Sequence, residues 1–302
     1  MQRVVDSISE QLARSSNEVR RLFHGRGGLF EGFDWLVIDW LPPVAVIRVY
    51  APEVPTPLDA VVEHLMAQPQ VMGVVLQLRG RGREARSEVV AGEVAETLIV
   101  EELGLRYQVR PLQNQNSGLF LDMRPGRAWV RENASGARVL NLFAYTCAFS
   151  IAAMAGGAHS VVNLDMSSGA LSIGRRNHQH NGMAADAVSY MALDLLRSWS
   201  RVRRQGPYDL IIIDPPSFQP GSFVAERDYR KVLRRLDQLT LPGSWVLACH
   251  NDPGHSETFL REIMVGEAPG FEFQQRLPLA EDFPERDAEQ GLKALLYRRS
   301  GA

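Results

Sequence analysis

The order of apolar and polar segments divides the chain into two parts. From about residue 113, short and nearly continuous apolar runs alternate with stretches of helical periodicity. Runs of this kind are typical of parallel strands covered on both faces. The predicted strands are 139–143, 160–165, 188–191, 208–214, 244–250, 271–277 and 292–298, and the predicted helices begin near Thr146, Ser167, Leu195, Val224 and Ser256. This order predicts an α/β fold with a mostly parallel, seven-stranded sheet that ends in an antiparallel hairpin.

The first part of the chain has a mixed pattern. Apolar residues between Val4 and Phe23 recur mostly every three or four positions, which predicts a helix ended by "GRGG". Strands are predicted at 35–41, 44–50, 71–78 and 106–112, and a helix is predicted to follow Thr56 as N-cap and Pro57 at its first position. We therefore predict a smaller N-terminal α+β domain over 1–112, a candidate for substrate binding, and an α/β domain over 113–302.

Composition narrows the class of protein. The 302 residues are 45% hydrophobic and 23% charged, with a formal net charge of −2, which is typical of a folded protein and disfavours indiscriminate coating of nucleic acid. The sequence has no apolar run of about 18 residues, and its N-terminal segment is unlike a secretion signal, so we expect a cytoplasmic protein without a membrane partner. The two cysteines, Cys147 and Cys249, form no CxxC or Cys/His cluster, so neither a disulfide nor a metal site is expected.

The loop after the first strand of the α/β part is a candidate cofactor site. The stretch "NLFAYTCAFS" (141–150) lies between Gly136 and Gly156 and contains no glycine. A dinucleotide site needs a glycine-rich turn to bring backbone amides to the phosphates, so NAD and FAD are disfavoured. Small residues such as Ala144, with Thr146 at the helix start, could instead hold the phosphate-free S-adenosylmethionine. An ordinary buried turn is the alternative.

Two acidic residues follow the next two strands. Asp165 ends the second strand, where an acid that binds ribose hydroxyls is expected in this architecture. Asp194 follows the third strand and could accept a hydrogen bond from an adenine amino group. Each has a structural alternative, because Asp165 or Ser167 could cap one helix and Asp194 another.

The fourth strand is followed by "DPPSF" (214–218). Pro215 and Pro216 hold the chain extended without donating backbone hydrogen bonds, so the Asp214 carboxylate and nearby carbonyls are fixed at the strand end. Phe218 could stack on a nucleobase brought out of its helix. A plain turn is the alternative.

Cys249 stands near the end of the fifth strand, in "LACHNDP". A thiol there could add to C6 of a pyrimidine and make C5 nucleophilic toward a methyl donor. Cysteine is also a common buried residue, so packing is the alternative explanation.

One predicted helix carries a basic face. In "RDYRKVLRRL" (227–236), Arg227, Arg230, Lys231 and Arg234 share one side at helical spacing. Such a face can contact RNA phosphates, although most basic faces are merely solvated. The arginine-rich segment 79–86 is a weaker candidate for RNA contact.

Four motifs in this order resemble a known family. The segments 116–124, 139–150, 163–178 and 211–218 are similar to bacterial class I (Rossmann-like) S-adenosylmethionine-dependent methyltransferases that modify large-subunit ribosomal RNA, the group making 5-methylcytosine or 7-methylguanine. The resemblance implies S-adenosylmethionine as cofactor and RNA as partner, with Asp214 to Phe218 at the target base. It places Asp165 at the ribose and Asp194 near the adenine. Together with the loop after the first strand, the predicted cofactor-binding residues are Asn141, Phe143, Ala144, Tyr145, Thr146, Asp165, Met166, Asp194 and Asp214.

The sequence departs from this family in two places. No PUA module is evident at the N-terminus, and the cysteine that relatives making 5-methylcytosine place in Ser-Cys-Ser stands here in Ala248-Cys249-His250. The methylated atom therefore stays open. Methylation of a protein or small molecule, and a binding module without catalysis, remain alternative functions.

Overall fold

A computed structural model of the chain describes residues 1–14, 17–79, 86–112, 116–216, 218–219 and 223–301. The chain forms two compact units, one comprising Met1–Asp122 with Ala280–Asp287 and the other Met123–Leu279 with Ala288–Ala302. Within the described ranges, every helix is too short or too polar to cross a membrane.

The first unit is built on a five-stranded sheet. Its elements are α1 (Gln2–Ala13), β1 (Arg20–His24), β2 (Leu36–Leu41), β3 (Val44–Val49), α2 (Asp59–Met66), β4 (Gly73–Leu78), β5 (Arg86–Gly92), β6 (Leu98–Glu102) and β7 (Leu105–Val109). The sheet order is β1-β2-β3-β4-β5, with β3 and β4 parallel and the other pairs antiparallel. Strands β6 and β7 form a separate hairpin.

The first helix is shorter than its sequence pattern predicts. It ends at Ala13, and Leu22 and Phe23 lie in β1, so the prediction of one helix up to Phe23 is wrong. The register of β1 against β2 shifts between Arg21 and Phe23, and the consecutive residues Leu22 and Phe23 are both buried. An irregularity of this kind interrupts the alternation that identifies a strand, so the apolar spacing imitates a helix.

The second helix begins later than predicted. It starts at Asp59 after Leu58, whose side chain is buried in the core of the first unit, and no side chain caps it. The prediction that Thr56 caps this helix is therefore wrong. Burial of Leu58 fixes the first turn in place of a capping hydrogen bond.

The second unit contains the predicted α/β fold. Its elements are α3 (Arg124–Asn133), β8 (Arg138–Leu142), α4 (Ala148–Ala155), β9 (Ser160–Asp165), α5 (Ser168–His180), β10 (Val188–Ala192), α6 (Trp199–Gln205), β11 (Tyr208–Ile213), β12 (Phe218–Gln219), β13 (Phe223–Val224), α7 (Ala225–Leu233), α8 (Leu236–Leu239), β14 (Thr240–His250), α9 (Glu257–Glu267), β15 (Phe271–Arg276) and β16 (Lys293–Arg299). The seven-stranded sheet has the order β10-β9-β8-β11-β14-β16-β15. The pairs from β10 to β14 in this order are parallel, and β16 and β15 are antiparallel, which confirms the predicted sheet and its final hairpin.

Each face of this sheet has its own core. Along β14, Val246 and Ala248 belong to one apolar cluster, whereas Leu247 and Cys249 belong to the other. This is the two-residue period of a strand covered on both sides, and it explains the nearly continuous apolar runs of the sequence. The order of the strands reverses beside β8, so the switch point lies between β8 and β11, where such sheets bind ligands at the carboxyl ends.

Candidate functional site

The loop that follows β8 has an unusual backbone. Phe143, Tyr145 and Cys147 have φ values of 58°, 47° and 64°, in the left-handed region that favours glycine. Such conformations cost on the order of 1–3 kcal/mol each and persist only where surrounding contacts enforce them. The backbone N–H of Ala144 donates to the Leu164 carbonyl, and that of Cys147 donates to the Ala144 carbonyl. The loop at the switch point is thus strained and firmly held.

Helix α5 packs tightly against this loop. A Cβ atom on Gly174 would lie 2.3 Å from the Sγ atom of Cys147, so only glycine permits the observed approach. The side-chain amide of Asn177 donates to the carbonyl of Thr146 over 3.1 Å. Thr146 and Cys147 are both buried, and α4 starts two residues after the predicted Thr146, with Cys147 as its N-cap.

Asp165 is clamped at the end of β9. Its Oδ2 atom accepts from the backbone N–H of Tyr145 and its Oδ1 atom from that of Ser167, each over 2.8 Å. The helix α5 is capped instead by the Ser167 hydroxyl, which accepts from Ala170 N–H. A carboxylate oxygen can accept more than one hydrogen bond, so the partly exposed Asp165 can still accept from hydroxyl groups. Met166, beside it, is exposed.

A buried series of side-chain hydrogen bonds connects β8 and β9. The Asn141 amide donates to Asn163, whose amide donates to the Ser150 hydroxyl, over 2.9 and 3.0 Å. Ser150 lies 2.9 Å from Nε2 of His178, and Nδ1 of His178 lies 2.8 Å from the carbonyl of Gly174. A carbonyl can only accept, so Nδ1 carries the proton and Nε2 accepts from Ser150. Burial lowers the pKa of His178, which keeps this ring neutral.

Asn141 and Phe143 make contacts that the sequence does not predict. Asn141 is buried, with its amide committed to Asn163. The ring of Phe143 packs edge-on against Phe223, with 5.0 Å between ring centroids. This contact links the loop after β8 to the segment that follows "DPPSF".

Asp194 caps a short 3-10 helix, Leu195–Arg197. Its Oδ1 atom accepts from the backbone N–H of Leu196 over 2.9 Å, and its Oδ2 atom lies 3.3 Å from Nε of Arg197. Asp194 therefore has the capping role that was its alternative, and its contact with adenine stays a prediction.

The segment after β11 is fixed by Tyr229 of α7. The Tyr229 hydroxyl lies 3.3 Å from the carbonyl oxygen of Ile213 and 3.1 Å from that of Cys249. It thereby joins the carboxyl ends of β11 and β14. Burial, with smaller effects of Cys249 and Asp214, raises the pKa of Tyr229 well above its usual value, so this hydroxyl remains a donor.

The residues of "DPPSF" differ in exposure. Asp214 is partly buried, Pro215 is buried and Pro216 is exposed. Phe218 and Gln219 form the two-residue strand β12, which pairs with β13. Ser217 and the side chain of Phe218 lie outside what the structure describes. Asp214 and Pro215 thus follow a strand end that Tyr229 joins to β14, and the role of the segment at a target base stays a prediction.

Cys249 is completely buried. Its side chain lies in the cluster with Leu247 and Ala294, on the sheet face opposite to Tyr229. A thiol in this position has no surface that a base could approach in this conformation. Its role as a nucleophile stays a prediction.

The basic face of α7 is partly neutralised. Arg227 and Lys231 each approach Asp228 to 2.7 Å, and these contacts hold the pKa of Asp228 well below its usual value. Arg230 lies 3.5 Å from Glu267, and Arg234 forms a two-point ion pair with the same carboxylate. The four cations thus share two carboxylates and retain a net charge of +2 (4 − 2).

A surface cavity of about 320 Å³ adjoins the basic face. It is lined by Leu196, Trp199, Lys231, Arg234 and Arg235. The guanidinium carbon of Arg235 lies 5.9 Å from the centroid of the Trp199 ring. Cations beside an indole ring are suited to a phosphate next to a nucleobase.

Sequence reasoning missed a cluster in the loop after β14. His250, Asp252 and His255 bring their side-chain nitrogen and oxygen atoms within 4.8 Å of one another. The signal was the spacing in "HNDPGH", two histidines and an acid within six residues. The weaker RNA candidate, 79–86, falls mainly in 80–85, outside the described residues.

Comparison with known proteins agrees with this architecture. The family model of S-adenosylmethionine-dependent methyltransferases matches residues 20–298. A ribosomal RNA large subunit methyltransferase I of Aeromonas salmonicida is 33% identical over 192 residues, which cover 62% of this chain and 48% of that protein. A ribosomal RNA large subunit methyltransferase K/L of Shewanella loihica is 34% identical over 197 residues, covering 62% and 27%. The chain thus spans about half or less of the length of these curated relatives.

A solved structure shows the same fold. A protein of Streptococcus mutans assigned as an S-adenosylmethionine-dependent methyltransferase superposes with a TM-score of 0.84 at 23% identity, covering 98% of this chain and 81% of that one. The match of the family model over most of the chain confirms the S-adenosylmethionine-dependent methyltransferase family, to which the proteins that the four motifs resemble also belong. The chain belongs to the S-adenosylmethionine-dependent methyltransferase family.

Proposed function

We propose that this protein transfers a methyl group from S-adenosylmethionine to a base of RNA, with ribosomal RNA as the first candidate. The observation that carries the proposal is the meeting of two fixed segments at one sheet edge. The clamped Asp165 and the strained loop lie at the ends of β8 and β9, and Asp214 and Pro215 follow the neighbouring strand β11.

The residues fit S-adenosylmethionine better than a dinucleotide. The loop 143–147 has no glycine and shows its left-handed residues at Phe143, Tyr145 and Cys147, without the glycine-rich amide turn that phosphates require. The carboxylate of Asp165 would accept from a ribose diol, and the loop would hold the amino acid part. When bound, S-adenosylmethionine supplies an electrophilic methyl group.

The acceptor side is rigid and able to accept hydrogen bonds. The Asp214 carboxylate and the carbonyls near Pro215 would orient the N–H groups of a base, and Tyr229 holds the strand ends that carry them. Stacking of Phe218 on the base stays a prediction from the sequence, because the structure does not describe this side chain. Proximity and orientation are the main contributions that such a site can make, because the methyl donor is already activated.

The burial of Cys249 favours a nitrogen acceptor. Methylation at C5 of cytosine requires a thiol to add to C6 first, and the Cys249 thiol is enclosed by side chains of the second core cluster. A base nitrogen attacks the methyl group directly with its own lone pair. We therefore expect a Cys249→Ala variant to keep its methylation activity.

RNA as the acceptor is supported by local charge and by the names of the relatives. The two curated relatives described above are named as ribosomal RNA large subunit methyltransferases. The basic face of α7 would contact phosphates through Arg227, Arg230, Lys231 and Arg234. In the first unit, the guanidinium carbons of Arg26 and Arg79 lie 4.1 and 5.4 Å from the centroid of Tyr50, and we propose that the domain predicted over 1–112 adds RNA contacts there.

One observation favours a second candidate, methylation of a protein or small molecule. All four cations of the basic face already pair with Asp228 or Glu267, and the formal net charge of the chain is −2. If these pairs persist, the face attracts phosphate weakly.

A charge-removal experiment distinguishes the two candidates. The Lys231→Ala variant should bind RNA more weakly across sequences and lower the slope of log affinity against log salt by about 1, while its affinity for S-adenosylmethionine is unchanged. Arg298→Ala, on the far strand β16, is the matched control. An unchanged RNA affinity and salt slope in Lys231→Ala would favour the second candidate.

A further inference from the structure

We propose that His250, Asp252 and His255 bind a divalent transition-metal cation of the zinc class. The three residues occupy the end of β14 and the loop between β14 and α9, at the same sheet edge as the methyl-transfer site. Two imidazoles and one carboxylate are a common ligand set for such ions. The proposal does not depend on methyl transfer or on its acceptor.

The distances suit one shared ion. Nε2 of His250 lies 3.0 Å from Nδ1 of His255, and that nitrogen lies 3.9 Å from Oδ2 of Asp252. Ligand bonds of about 2.0–2.2 Å place two ligand atoms of one ion about 3–4 Å apart. The imidazole nitrogens already have this spacing. Asp252 is about one-third exposed, at 34%, so its side chain can turn toward an ion without disturbing a core.

His255 has the outer contact typical of a metal ligand. Its Nε2 atom lies 3.3 Å from Oε1 of Glu226, at the start of α7. A carboxylate in this position holds the proton on Nε2 and directs the Nδ1 lone pair inward, toward His250. The His255 ring also stacks on Phe259, with 4.2 Å between centroids and an interplanar angle of 10°. The orientation of this ring is therefore fixed.

His250 is buried and can present a lone pair to the same point. Without an ion, its Nε2–H donates to the Nδ1 lone pair of His255. Its Nδ1 atom has no hydrogen-bond partner in the described part of the chain, so the proton can move to Nδ1 and leave the Nε2 lone pair for an ion. Its ring packs 5.2 Å from the same Phe259 ring. A hydrogen bond between His250 and His255 accounts for the short contact, and a bound ion would replace it.

The loop geometry leaves one oxygen of Asp252 for the ion. Oδ1 accepts from the backbone N–H of Gly254 over 2.8 Å, whereas Oδ2 faces His255. Lys293 also contacts this loop, where its Nζ donates to the Asp252 carbonyl over 2.8 Å. Its positive charge opposes a second cation at this loop. Three protein ligands leave further coordination positions for water.

The test is a titration of the chelator-treated full chain with Co²⁺, followed by visible absorption, and with Zn²⁺, followed by calorimetry. We expect one equivalent of Co²⁺, displaced by Zn²⁺. His255→Ala and Asp252→Asn should each weaken binding by more than about tenfold, and Glu226→Gln should weaken it about tenfold with the stoichiometry kept. His159→Ala changes an exposed histidine elsewhere on the surface and should leave binding unchanged.

Two results would overturn the proposal. One is the absence of binding to the wild-type chain, which would leave the short contact as a hydrogen bond only. The other is an equal affinity in wild type, His255→Ala and Asp252→Asn, which would place the ion elsewhere. Circular dichroism and thermal melting of each variant verify folding, and the exposed Glu226 provides a variant that does not disturb the core.

Discussion

Replacing Gly174 with alanine tests how tightly the loop after β8 is held. The new Cβ atom would lie 2.3 Å from Sγ and 2.9 Å from Cβ of Cys147, which is itself buried and left-handed. Overpacking of this kind costs about 1–3 kcal/mol. Alanine in a helix interior returns about 0.5–1 kcal/mol relative to glycine. We therefore expect a net loss of stability of up to about 2.5 kcal/mol.

A matched glycine in another helix provides the control. On Gly266 in α9, an added Cβ atom would meet nothing within 4 Å, so Gly266→Ala should stabilise the chain by about 0.5–1 kcal/mol. Urea unfolding of both variants should then show a difference of about 1–3 kcal/mol.

The displaced loop should also bind the cofactor less well. Tyr145 precedes Cys147 by two residues, and its backbone N–H donates to the Asp165 carboxylate. A shift of Cys147 should therefore disturb Asp165, and we expect Gly174→Ala to raise the Kd for S-adenosylmethionine about tenfold, or about 1.4 kcal/mol. Cys147→Gly removes both clashing atoms and should cancel the effect in the double variant. Equal stability of the Gly174 and Gly266 variants, with unchanged cofactor affinity, would refute the reasoning.

Three further outcomes follow from other contacts. Asp165→Asn turns an amide N–H toward a backbone N–H and should lower the free energy of unfolding in urea by about 1–3 kcal/mol. It should also weaken the affinity for S-adenosylmethionine, measured by calorimetry, at least about tenfold. Unchanged affinity would show that Asp165 does not bind the cofactor. Tyr229→Phe should lower the free energy of unfolding by about 1–2 kcal/mol, and a neutral result would show that water replaces its hydroxyl. The pKa of His178 is lowered from 6.5, so the unfolded chain binds a proton first, and stability falls as pH drops below about 6.5. His178→Gln should reduce this decline, and an equal pH slope in both chains would contradict it.

The α/β architecture is predictable because its signals are local. Strands such as β11 are buried on both faces and therefore appear in the sequence as nearly continuous apolar runs. The helical segments between these runs are visible from the sequence as well, so the alternation of strands and helices can be predicted. In β1, a bulge places Leu22 and Phe23 on the buried side together, so a strand imitates a helix. The spacing of apolar residues cannot distinguish such a strand from a helix unless the register of the partner strand is known.

The candidate site was predictable in its acidic residues and less so in its shape. Asp165 and Asp214 were identified because each lies at the end of an apolar strand. The left-handed backbone at Phe143, Tyr145 and Cys147 carries no glycine to announce it and arises from long-range contacts. The burial of Cys249 depends on which face of β14 it occupies, which its position at a strand end does not reveal.

The inclusion of residues 280–287 in the first unit also had no sequence signal. The backbone N–H of Arg21 donates to Asp282, and His24 lies 3.1 Å from Glu285. These contacts join segments far apart in the chain, and no local pattern predicts them.

The most direct test of the proposed function is a transfer assay with isotope-labelled S-adenosylmethionine and bacterial ribosomal RNA, followed by mass spectrometry of the nucleosides. The wild-type chain and Cys249→Ala should place the label on a nitrogen of one base, and Asp214→Ala should not. Label at carbon 5 of cytosine that disappears in Cys249→Ala would contradict the nitrogen acceptor. A chain that binds S-adenosylmethionine yet labels protein and no RNA would contradict the proposed function itself.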